Sequence, residues 1–112
     1  MPYINVKASK TFTPEEKIEL KKACGKAIEC FRGKTESWLM VDISSNEDMY
    51  FRGEKGDCAF IEVKVFGNPS SAECEAFTAE ITEVMKKHSI PAERLYVRYE
   101  GGTLWGWNGS DF

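Results

Sequence analysis

The sequence predicts an α+β subunit of order β-α-β-β-α-β, a four-stranded sheet with two helices on one face. Two segments, near 14–32 and 71–88, set apolar residues at helical spacing behind a capping box. Four shorter stretches have strand composition or alternate with period two. Each helical segment lies between two of those stretches, so the strands flanking it are expected to run parallel through a right-handed crossover.

Tyr3-Ile4-Asn5-Val6-Lys7-Ala8 alternates and reads as the first strand. Thr13 is a good N-cap, Pro14 suits the first helical position, and Glu16 closes the box with Thr13. Leu20, Ala23, Cys24, Ala27, Ile28 and Phe31 then define a buried face over roughly 14–32, and Gly33 is expected to end the helix as a left-handed cap. Trp38–Ser44 has strand composition, and its continuous apolar start points to a central strand. The polar stretch Ser45–Asp57, with Gly53 and Gly56, reads as a loop. Cys58–Phe66 is a strand in which Glu62 and Lys64 alternate with Ile61, Val63 and Val65. Gly67-Asn68-Pro69 turns the chain, and Ser70 with Glu73 makes a second capping box. The stripe of Cys74, Phe77, Ile81, Val84, Met85 and His88 follows, Pro91 breaks the pattern, and Leu95–Tyr99 alternates again. The Gly- and Trp-rich tail suggests a short strand near 104–107. Val6, Leu39, Ile61 and Val63 suggest that the sheet face without helices is itself partly apolar, which a small domain usually buries in an oligomer.

The 112 residues, 12.7 kDa, amount to one domain over 1–112, and 42% apolar with 29% charged residues is an ordinary globular balance. Lys+Arg is 15 against Asp+Glu 18, a net charge of -3 with a pI near 5.2, which disfavours a general nucleic-acid binder. Mean hydropathy is -0.41 and no apolar run is long enough to cross a bilayer, so no membrane partner is expected. The N-terminus carries no apolar signal-peptide core, so the expected location is cytoplasmic, with export by a non-classical route as the other expectation. Cys24, Cys30, Cys58 and Cys74 form no CxxC, and with the single His88 they make neither a zinc site nor a readable disulfide framework.

Proline directly after the initiator methionine is the most informative residue. Removal of Met1 would leave Pro2 with a free secondary amine, which, unlike an internal proline nitrogen, is basic. Taken alone, Pro2 is more simply read as an aid to processing or as the first residue of a strand.

The chain resembles the macrophage migration inhibitory factor and D-dopachrome tautomerase family of the tautomerase superfamily. The resemblance rests on MPYINV at the start, Gly33-Lys34 after the first helix, CAF at Cys58–Phe60, the helix from Ser70, ERLYVRY at Glu93–Tyr99, and WGWNGSDF at the C-terminus. It implies a homotrimer and a Pro2 nitrogen acting as general base at a subunit boundary, with no cofactor and no metal. It further implies that Lys34 binds a substrate carboxylate, that the Phe66 backbone N–H meets the substrate, and that Tyr96 and Arg98 come from the adjacent subunit. Arg98 replaces the family's asparagine. Trp38, Trp105, Trp107 and Phe112 resemble the aromatic wall of the pocket. Each has a plainer reading: a helix-end lysine favoured by the dipole for Lys34, an apolar strand end for Phe66, an ordinary strand tyrosine for Tyr96, and trimer packing for the aromatic residues.

The implied activity is keto-enol tautomerisation of a small aromatic α-keto acid or enol, of the phenylpyruvate type. The alternatives are a secreted cytokine-like ligand of a cell-surface receptor, with a vestigial pocket, and a ferredoxin-like oligomer with no pocket. Ile61 stands where a redox CxxC pair would need its second cysteine, so thiol–disulfide chemistry is not expected.

Overall fold

Every second residue of two strands is sealed from water, and those strands pair at the centre of the sheet. In β1 (Pro2–Ala8), Ile4, Val6 and Ala8 are buried, and in β5 (Ala59–Val65), Ala59, Ile61, Val63 and Val65 are buried. The two run antiparallel from Pro2 opposite Val65 to Ala8 opposite Ala59. The computed structural model describes residues 1–112. β2 (Met40–Ser44) pairs parallel with β1, and β6 (Leu95–Glu100) pairs parallel with β5, giving the order β2-β1-β5-β6.

The helices α1 (Pro14–Ala27) and α2 (Ser71–Lys87) each cross over between two parallel strands, and both begin with the expected reciprocal capping box. Leu20, Cys24, Ala27 and Ile28 from one half, with Phe77, Ile81 and Met85 from the other, join the strand residues in one core of 17 buried side chains. His88, just past α2, fastens the helix ends together: its Nδ1 lies 3.2 Å from Glu16 Oε2. Lys10 Nζ donates to the His88 carbonyl oxygen at 2.8 Å.

Several sequence expectations are corrected. Val6, Ile61 and Val63 do not line the helix-free face. The register sets Ile4 against Val63 and Val6 against Ile61, and all four point into the helix layer. Leu39 also packs against that core. The open face carries Tyr3, Asn5, Lys7, Phe60, Glu62, Lys64, Tyr96 and Arg98, which is mostly polar because side chains alternate strictly along a strand. Asn5 is buried there, and its side-chain amide donates to the Asp42 carbonyl oxygen and to Ser44 Oγ.

β2 is an edge strand rather than a central one. Its apolar approach, Trp38-Leu39, lies outside the strand: Trp38 ends a 3-10 turn from Glu36, and Met40 is 67% exposed. The first α-helix stops at Ala27 and tightens into a 3-10 turn over Ile28–Cys30. Gly33 therefore does not cap it. It takes φ 77° in a tight turn closed by the Lys34 N–H on the Phe31 carbonyl, where a side chain would strain the backbone. Lys34 lies beyond the last helical turn, whose basic residue is Lys26, so the dipole reading of Lys34 does not hold.

The polar loop contains a small hairpin of β3 (Tyr50–Phe51) and β4 (Glu54–Lys55), and Arg94 donates to the carbonyl oxygens of Asp57 and Glu54 beneath it. The tail forms a second hairpin, β7 (Gly106–Trp107) with β8 (Ser110–Asp111). Asn108 and Gly109 both have positive φ there, as a type I′ turn requires.

Glu73 does more than cap α2. Its carboxylate accepts the Ser70 N–H at 2.8 Å and the Arg32 N–H at 2.7 Å, so it ties the start of α2 to the turn that carries Lys34. Those bonds, the Arg32 N–H first, hold its carboxyl below the ordinary 4.5. A carboxyl depressed in the folded state stabilises the fold above the unfolded pKa, and that contribution disappears as pH falls through the folded value. The urea midpoint is therefore expected to fall on acidification below about pH 4.5. Glu73→Gln should lower the midpoint at neutral pH and make this fall shallower; an unchanged pH profile in Glu73→Gln would refute the assignment.

Candidate active site

The antiparallel register brings the start of β1 to the end of β5. Pro2 is buried there opposite Val65, and the Phe66 N–H donates to the Met1 carbonyl oxygen at 3.0 Å. The Met1 amine is held below its ordinary 8.0, chiefly by burial, then by the charge of Lys34 and by a hydrogen bond with the Lys34 side chain. Lys34 Nζ also stands over the Phe66 ring, 5.7 Å from its centre. The Phe66 N–H thus holds the terminal residue, and the positive charge of Lys34 disfavours protonation of its amine.

Two clefts flank this point. One, of about 660 Å³, is lined by Met1, Pro2, Tyr3, Trp38, Lys64, Trp105 and Trp107 among others. The other, of about 640 Å³, is lined by Lys34 and Phe66 together with Arg32, Ser70 and Glu73. Trp38 meets Trp107 edge to face with ring centres 5.1 Å apart, and Phe112 stacks on Phe66 at 5.3 Å. One link holds the tail over the site and another closes the tail on itself. Gly67 and Gly102 exchange two backbone hydrogen bonds of 2.7 Å, and the Phe112 N–H donates to the Trp105 carbonyl oxygen at 3.3 Å. Gly101 has to be glycine for this approach, since a Cβ there would sit 2.5 Å from the Gly67 carbonyl oxygen.

Pro2, Lys34, Phe66, Trp38, Trp105, Trp107 and Phe112 therefore gather at one end of the subunit. Tyr96 and Arg98 do not. Both are exposed on the open face of β6, in register with Phe60 and Glu62. Strand spacing puts their backbones about 19 and 14 Å from that of Pro2. Tyr96 instead packs against Phe51, with ring centres 5.3 Å apart.

Lys64 and Tyr3 line the Pro2 cleft, and sequence reading did not single them out as site residues. Their signal was the pairing of β1 with β5, which sets Tyr3 opposite Lys64 beside Pro2. The thiols offer little nucleophile. Burial pushes Cys24 up to about 12 and raises Cys30 and Cys74, so none of these three favours the thiolate near neutral pH.

A family model for macrophage migration inhibitory factor matches residues 1–112. Among solved structures, the chain is similar to macrophage migration inhibitory factor 2 of Leishmania major, at 28% identity and TM-score 0.92 over 100% of this chain and 97% of that one. The Toxoplasma gondii macrophage migration inhibitory factor is 25% identical at TM-score 0.91, covering 98% of this chain and 99% of that one. The Prochlorococcus marinus homologue is 27% identical at TM-score 0.81, covering 98% of each chain. No curated protein sequence matches the chain.

In protein that carries Met1, Lys34→Met is expected to raise the amine pKa towards 8.0 without fully restoring it, because burial remains. Titration of the amine by selective isotope labelling and NMR checks this. An amine pKa unmoved by Lys34→Met would show that Lys34 exerts no field there.

Proposed function

The chain belongs to the macrophage migration inhibitory factor family, and on that premise we propose that it is a keto-enol tautomerase whose base is the Pro2 nitrogen, freed by removal of Met1. The observation that carries the reading is the setting of Met1. Its carbonyl takes the Phe66 N–H, and its amine lies under the charge of Lys34. Removing Met1 frees the Phe66 N–H and leaves the Lys34 ammonium beside a new secondary amine, and a substrate carboxylate is the chemistry that would take both up.

Pro2 would act in the same electropositive setting as the Met1 amine, which favours the neutral base near neutral pH. It would take a proton from the carbon next to the keto group of an α-keto acid such as phenylpyruvate. The electron pair of that C–H bond forms the C=C bond, and the carbonyl oxygen gains a proton to give the enol; the reverse path returns the proton to carbon. Lys34 and the Phe66 N–H would hold the carboxylate and offset the charge that develops on the enolate. Trp38, Trp105 and Trp107 would pack the aryl ring, with Phe112 fixing Phe66.

Tyr96 and Arg98 would join this site only from a neighbouring copy, which makes the homotrimer part of the proposal. The two free sheet edges support such an assembly. A trimeric chain with Met1 removed and no turnover would instead favour the receptor-ligand reading.

Three outcomes are expected. Chains shown by mass to lack Met1 should tautomerise phenylpyruvate. Pro2→Ala should lose at least about a hundredfold in kcat/KM, the usual minimum for deleting a general base. Full activity in chains that retain Met1 would exclude the proline base. Light scattering at micromolar concentration should give a mass near three times 12.7 kDa, and a monomeric mass would remove the shared site.

A further inference from the structure

Resting on the tautomerase reading above, we infer that the cleft selects α-keto acids bearing a second anionic group, and that Lys64 binds it. Lys64 is the only charged side chain lining the cleft that holds Pro2 and the three tryptophans, and no carboxylate lines it. It projects from β5 opposite Tyr3, is half-buried, and has no acidic oxygen within 4.0 Å of its ammonium.

The groups around it do not answer that charge. Glu100 is its register partner on β6 and lines an adjoining cleft with it, yet Glu100 is exposed and makes no ion pair with it. Glu62 is two residues along the same face, and the Tyr3 hydroxyl is committed to Asp42 at 3.1 Å. An ammonium half removed from water beside indole walls, with no ion pair of its own, is completed by an anion.

Lys34 supplies a separate cation at the Met1 amine, in the other cleft, which it lines with Phe66. Two cations thus flank Pro2. A monoanion can satisfy one of them. A dianion with an aryl spacer satisfies both, its α-carboxylate at Lys34 and its distal acid at Lys64. Lys64 is here a specificity residue, and it takes no part in the proton transfer.

Isothermal titration of the Met1-free protein with phenylpyruvate and with para-carboxyphenylpyruvate tests this. At low salt the diacid is expected to bind about five- to tenfold more tightly, as for a partly exposed charge-assisted contact. That advantage should shrink as ionic strength rises. Lys64→Gln should bring the ratio of the two Kd values close to one, while Lys64→Arg should keep it. Equal Kd values in the wild type would overturn the inference, and no variant is needed to reach that result. So would a preference that survives Lys64→Gln, including one lost in Arg98→Asn instead, which would assign the second acid to Arg98. Because the titration reads binding, it decides the role of Lys64 whatever the turnover; the Pro2-dependent assay decides the tautomerase reading separately.

Discussion

The antiparallel register of β1 with β5 is the constraint on which the rest of the molecule depends. It sets Ile4 against Val63 and Val6 against Ile61, and all four are at most 1% exposed. Burying side chains of this kind contributes about 1.5–3 kcal/mol each, so a one-residue slip would turn several of these contributions out to water. The same register fixes the chemistry. It ends with Pro2 opposite Val65, which leaves the next residue, Phe66, with its N–H on the Met1 carbonyl. Core packing and the placement of the N-terminal nitrogen are therefore one decision of the chain.

Around that point the candidate site is assembled from segments distant in sequence, and hydrogen bonds tether two of them. Glu73 holds the turn of Lys34 to the start of α2, and the Gly67–Gly102 exchange lays the tail alongside the end of β5. Aromatic contacts complete the arrangement, Trp38 on Trp107 and Phe112 on Phe66. The outcome is an electropositive cleft in a chain whose net charge is negative. The acidic residues that give α1 and α2 their capping boxes sit at the helix starts, and none of them lines the Pro2 cleft.

Local signals carried most of the architecture. Both capping boxes, both helices, the four sheet strands and the parallel crossovers were legible because caps and periodicity are properties of neighbouring residues. What depended on pairing was not. The apolar residues Val6, Ile61 and Val63 carry no mark of which face they will take until β1 meets β5, and Trp38-Leu39 looks like strand although it forms the approach to one. The Asn108-Gly109 pair was a readable turn signal for the tail hairpin, and sequence reading passed over it. For the candidate site, family motifs pointed to seven residues that do gather at one end of the fold. They could not reveal Lys64, whose position beside Pro2 exists only through the register.

The two outer strands have a consequence for the life of the chain before assembly. β2 and β6 each leave one row of backbone donors and acceptors unpaired, and such rows invite strand addition and aggregation. Each is also marked by charge, Asp42 on β2 with Arg98 and Glu100 on β6. An incoming strand must answer those charges or lose hydration in displacing their water. The edges thus discriminate among partners: they are hostile to the flat apolar segments that seed aggregates and open to a surface of matching polarity.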